Sequence, residues 1–285
     1  MVGAAALSRG AAGRILQHGD LAATHGGARS RAPMPGYLTL QQDVAIDGGP
    51  DLVIRSLIDR QQYADPLGEA AALGIGSAAW PLFGLLWPSG AQLAAHMVAR
   101  PPALGLTVLE IGCGLALASL ACHRLGVDIT ASDRHPLAEA FLRANLALNG
   151  LGPLRYRHGD WNVAAPAGAA PAMPRRRVAG HFDLIIGSDL LYERDAGATL
   201  AAFIGLHAGP AGEVRIVDPD RGNRPAFNRQ MAEQGFELRE ERLDRVATAG
   251  AEAYKGRLLT YRRRDAQDEA PAAPTASPPH ATRTS

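Results

Sequence analysis

Four carboxylates fall where short apolar runs give out, and their spacing is where chemistry enters this chain of 285 residues: Glu110, Asp133, Asp160 and Asp189. Glu110 belongs to Val108-Leu109-Glu110-Ile111, which runs straight into Gly112-Cys113-Gly114. Gly112 and Gly114 permit a tight turn and a close backbone approach to a ligand. The helix expected behind them offers unpaired N–H groups to an anion. Asp133 ends the next run, roughly 20 residues past the turn, where an α/β fold places an acid on ribose hydroxyls. Leu154 to Arg157 leads to Gly159-Asp160-Trp161. There Asp160 is placed to accept from an adenine amino group and Trp161 to cover the ring, with a plain surface turn as the competing reading. Phe182 to Gly187 ends in Ser188-Asp189-Leu190-Leu191-Tyr192.

The turn selects among nucleoside-type ligands. A dinucleotide fingerprint requires a small residue three positions after its second glycine. Here that position is Leu117, and Glu110 would set negative charge beside a pyrophosphate, which argues against a nicotinamide oxidoreductase. A ligand with an amino group and a sulfonium suits the same residues. S-adenosyl-L-methionine fits, with its amine near Glu110, its carboxylate at the helix N-terminus, its ribose on Asp133 and Ser188 among its contacts. Trp87 is placed to wall a sulfonium cation, although Trp80 and Trp87 serve equally as anchors of their segment on the core. No metal is expected. The nine histidines have no ligand-like spacing, and His123, His135 and His158 read as surface residues. Cys113 and Cys122, the only cysteines, exclude a disulfide framework or zinc cluster.

These residues need elements to hold them. Thr107 to Asn149 reads as a βαβ unit, its second helix opened by His135-Pro136 and carrying Leu137, Phe141, Ala144 and Leu148 on one face. Further strands follow at 154–157, 182–187 and 214–217, with helices over 196–206 and from Asn223. Phe236 to Leu243 and Gly256 to Tyr261 form a closing pair. The fold class is therefore α/β, a doubly wound, mostly parallel sheet covered on both faces with an antiparallel end. Ligands bind off the carboxyl ends of such strands, where all four carboxylates fall. Upstream, the alternation from Tyr37 to Ile46, the turn Asp47-Gly48-Gly49-Pro50 and Leu52-Val53-Ile54 predict a hairpin. Ser89 is expected to cap a helix carrying Leu93, Met97 and Val98.

Residues 1–36 read as a disordered extension whose Arg-rich, acid-poor character also suits a transit peptide. An accessory segment (37–100), a cofactor-binding core (101–264) and a disordered tail (265–285) follow, with a Pro/Ala-rich loop over 164–177. The net charge of +1 makes no global electrostatic case for nucleic acid. No apolar run reaches membrane-spanning length, and a cytoplasmic location is expected. Oligomeric state has no signal in the sequence.

The region from Trp80 to about Tyr261 resembles the seven-β-strand class I methyltransferases, Rossmann-like enzymes that use S-adenosyl-L-methionine. Within them it is similar to family 16, the protein-lysine methyltransferases. The resemblance rests on Leu109 to Gly114, Ser132-Asp133, Leu86-Trp87-Pro88-Ser89-Gly90, and Asp189-Leu190-Leu191-Tyr192, which matches that family's D-x-x-[FY] motif. Asp218-Pro219 with Arg221 is similar to a D-P-x-R stretch in one such enzyme, acting on the electron transfer flavoprotein β-subunit. The resemblance implies methylation of a protein lysine, with Asp189 and Tyr192 as catalytic residues. A small-molecule N- or O-methyltransferase, or a non-catalytic binding module, are the alternatives on the same fold.

Overall fold

The computed structural model describes residues 36–161, 176–195, 198–247 and 252–263, and the backbone of 14–16. Most of the N-terminal extension, most of the Pro/Ala-rich loop and the C-terminal tail lie outside the described residues. Strand β1 (Arg14–Leu16) pairs antiparallel with β2 (Thr39–Val44), which turns back into β3 (Leu52–Leu57) as the expected hairpin. Then come α1 (Glu69–Ala72), a 3₁₀ turn (Trp80–Gly84) and α2 (Pro88–Ala99). The core follows as β4 (Thr107–Glu110), α3 (Leu117–Arg124), β5 (Asp128–Asp133), α4 (Ala138–Leu148), β6 (Arg155–His158) and β7 (Phe182–Ser188). It closes with a 3₁₀ turn (Leu190–Tyr192), α5 (Thr199–His207), β8 (Ala208–Asp218), α6 (Arg224–Glu233), β9 (Phe236–Arg242) and β10 (Arg257–Arg263).

Seven strands form one sheet in the order β6-β5-β4-β7-β8-β10-β9. It is parallel from β6 to β8, and β10 runs antiparallel to both β8 and β9. The chain works outward from β4 to β6 and then returns to the other side of β4. The resulting switch point between β4 and β7 is where an open α/β sheet leaves a crevice. Side-chain alternation supplies both covered faces. Val108, Leu184 and Ile186 pack with α2, α3 and α4, while Leu109, Ile185 and Ile216 pack with α5 and α6. The near-continuous apolar run of β7 follows from burial on both faces. The edge strand β9 instead keeps charged residues exposed.

The hairpin is fastened to the core by side-chain amides that complete its open edge. Asn145 on α4 and Asn149, the residue that ends it one turn later, accept from the N–H groups of Arg55 (2.8 Å) and Val53 (3.0 Å), and Asn149 donates to the Val53 carbonyl (2.8 Å). This is why α4 buries Leu142, Asn145 and Leu146 with Phe141, a different face from the one expected. Ser89 also differs from expectation. Helix α2 begins at Pro88, and Ser89, fully buried, shares a hydrogen bond with the Tyr254 hydroxyl (3.0 Å).

Candidate functional site

The turn after β4 is built as its glycines required. Gly112 and Gly114 both take left-handed φ, +58° and +51°. A Cβ on Gly114 would lie 2.8 Å from the Phe83 carbonyl oxygen, and one on Gly112 would lie 2.6 Å from Leu190 Cδ2. The close approach they permit is therefore first to the protein's own 3₁₀ turns, which press on the glycine turn from both sides. Phe83 in turn stacks on His135, with ring centroids 3.7 Å apart, and Trp80 packs edge-on against both. His135 and His158 are buried rather than on the surface, each 4% exposed. A lone histidine in sequence carries no mark that separates a core position from a surface one.

A cavity of about 1080 Å³ opens over this turn, at the carboxyl ends of β4, β5 and β7. Glu110, Gly112, Gly114, Asp133, Trp161, Ser188, Asp189, Tyr192 and Trp87 all line it. Asp160, just past β6, is not among the described residues that line it. Trp161 does face the turn, with its ring 3.4 Å from the Gly112 Cβ position.

The two deepest carboxylates are held by backbone. Asp133 accepts from the Gly114 N–H (2.8 Å) through one oxygen and from the His135 N–H (2.7 Å) through the other. Its pKa is raised because burial outweighs those bonds. Glu110 accepts from the Ser119 N–H (2.8 Å) in the first turn of α3, and from the Ser119 hydroxyl. Burial pushes its pKa up to about 7, against the bonds from Ser119. Glu110 thus caps α3 as well as lining the cavity, a role its place in a strand did not signal. Trp87 donates from its indole to the Leu82 carbonyl (2.9 Å) and carries the Arg60 guanidinium 5.0 Å over its ring. The cation on Trp87 is one of the protein's own.

The outer end is built from side chains. Asp189 adopts a left-handed φ of +56° directly after β7, with its N–H donating to the Val217 carbonyl (3.1 Å). It makes no cap for the turn that follows. Its carboxylate instead pairs with Arg221, Oδ1 to Nη2 at 2.8 Å, while its buried Oδ2 has no protein partner among the described residues. Arg221 donates its own N–H to Asp218 (2.9 Å), which is fully buried. Tyr192 also lines the cavity, 47% exposed. Asp195, unremarked in the sequence, accepts from the N–H groups of Thr199 and Leu200 and so starts α5.

These residues fit a nucleoside cofactor with a charged amino-acid end: paired acids beside a glycine turn, an aromatic face at Trp161 and a cavity at the switch point. A family comparison agrees. Residues 84–217, which include all ten candidate site residues, match the model of the lysine methyltransferase family. None of the curated proteins matches the chain in sequence. Similar solved structures include a ribosomal protein L11 methylase from Lactobacillus delbrueckii subsp. bulgaricus, 22% identical, covering 63% of this chain and 81% of that one with a TM-score of 0.45. Magnesium protoporphyrin IX methyltransferase from Synechocystis PCC 6803 with bound S-adenosylmethionine is 16% identical, over 62% and 78%, with a TM-score of 0.46. A methyltransferase from Pyrococcus furiosus is 19% identical, over 69% and 98%, with a TM-score of 0.45. Over residues 84–217, somewhat under half of its length, the chain is similar to the lysine methyltransferase family, and the carboxylates and glycine turn of that region suit S-adenosyl-L-methionine as a cofactor.

Proposed function

We propose that the methyl acceptor is the side-chain amine of a lysine in a protein substrate. The observation that carries this reading is the Asp189–Arg221 pair on the lining of a cavity that Tyr192 also lines. The cofactor supplies a methyl group already activated on sulfur, so the protein's task is placement and exclusion of water. An amine must lose its proton before it can attack. An unpaired carboxylate would hold that proton on, by favouring the ammonium form. Arg221 offsets the charge of Asp189 and fixes its carboxylate, and Oδ2, buried and without a partner among the described residues, would accept an amine N–H once the entering side chain uncovers it. Tyr192, half-exposed on the cavity lining, would supply an aromatic wall for the alkyl stem. At the other end, Asp133 and Glu110 would take ribose hydroxyls and the cofactor's amine, and Trp161 the adenine.

Incubation of the protein with methyl-labelled cofactor and a cell lysate tests the reading. Label in a discrete protein band, released as methyl-lysine on hydrolysis, supports it. Label confined to the small-molecule fraction overturns it in favour of a small-molecule N- or O-methyltransferase.

A further inference from the structure

The charges around the cavity sort into two groups once their partners are assigned. Glu110 and Asp133 are buried and satisfied by Ser119, Gly114 and His135. Asp195 is taken by the start of α5, and Asp189 by Arg221. What remains to face an approaching partner is Arg60, Arg134, Arg194 and Arg229, with Glu193 as the single exposed acid among the lining residues described. None of these four arginines forms an ion pair among the described residues. Four separate elements bring them to one mouth. Arg60 lies over Trp87, and Arg134 follows Asp133 at the end of β5. Arg194 and Arg229 adjoin Asp195 and Gln230, which are joined by a hydrogen bond from the Gln230 amide to the Asp195 carbonyl (2.8 Å), and both line the cavity. Arginines held unpaired around an opening in a chain of net charge +1 concentrate a positive field there rather than over the whole surface.

We infer that this arginine rim is the docking surface for an acidic protein segment, so that the lysine entering the cavity is flanked by Asp or Glu. The inference rests on the lysine reading above and narrows its substrate class. Carboxylates on the partner would meet the rim in charge-assisted pairs, while the rim repels lysines set in basic surroundings. The absence of a global positive charge favours an acidic protein over a nucleic acid.

The test uses two fluorescent peptides of equal length, one with its lysine among glutamates and one with its lysine among arginines. Binding is followed by anisotropy and methyl transfer by label, for the full chain and for Arg194→Glu/Arg229→Glu. The glutamate peptide is expected to bind at least about tenfold more tightly, with an advantage that fades at high salt and is lost in the variant. Cofactor affinity of the variant should match the unaltered chain, which also shows that it folds. Equal binding of the two peptides, or a preference that survives the charge reversal, overturns the inference. Displacement of the glutamate peptide by polyuridylate together with labelling of lysate RNA would assign the rim to nucleic acid instead. Failure of the lysine reading looks different: the acidic peptide binds, but no methyl-lysine forms in it or in any lysate protein.

Discussion

The two ends of the cavity are made in different ways. At the end proposed for the cofactor, carboxylates are buried and bonded to main-chain N–H groups of adjacent turns, so the parallel sheet itself sets their positions. At the end proposed for the acceptor, a carboxylate is held by a guanidinium from another loop. Backbone partners cannot be exchanged without changing the fold, whereas a side-chain pair can be altered residue by residue. One sheet can thus keep its cofactor while its acceptor varies.

The largest effect is expected where the first end is rigid. Gly114→Ala places a Cβ against the Phe83 carbonyl in a left-handed conformation and should destabilise the fold by roughly 2–4 kcal/mol. Chemical denaturation that registers no loss would show that the turn is not braced by the 3₁₀ segment. Next is Asp189→Ala, expected to lower methyl transfer by roughly 100-fold or more through misplacement of the acceptor. Single-turnover kinetics at the unaltered rate would remove Asp189 from the mechanism.

A pH experiment sharpens the contrast. Because burial raises the Glu110 pKa from an ordinary 4.5 to about 7, the folded state holds its proton more firmly than the unfolded state. That contribution, roughly 3 kcal/mol, is fully present below pH 4.5 and lost as pH rises through about 7. Cofactor binding should run the opposite way, strengthening as Glu110 ionises to meet an ammonium group. Glu110→Gln should flatten both profiles, measured by thermal melts and calorimetry; slopes that persist would place the titration elsewhere. The smallest effect is expected at Ser89→Ala, about 1 kcal/mol from the lost bond to Tyr254. Tyr254→Phe should cost the same and the double variant little more, whereas full additivity would deny that the two share a bond.

Most of the first end was legible in the sequence because repeating patterns encode it. The apolar runs of β4 to β8, the paired glycines and the acid at the end of β5 all follow from strand and turn chemistry. What was hidden depends on long-range packing. Glu110 bonding Ser119, His135 under Phe83 and Ser89 under Tyr254 join residues whose types suit several roles equally. Asp160 sits at a strand end like the others, yet it lies outside the cavity lining. The Asp189–Arg221 pair spans two loops 32 positions apart and has no local signature at all.

The division of labour between the ends is tested most directly by calorimetric titration of S-adenosyl-L-methionine into the unaltered protein, Asp133→Asn and Asp189→Ala. Asp133→Asn should lose about 1–3 kcal/mol of binding free energy, while Asp189→Ala keeps its affinity within about twofold. Weak binding in Asp189→Ala with full binding in Asp133→Asn would contradict the account.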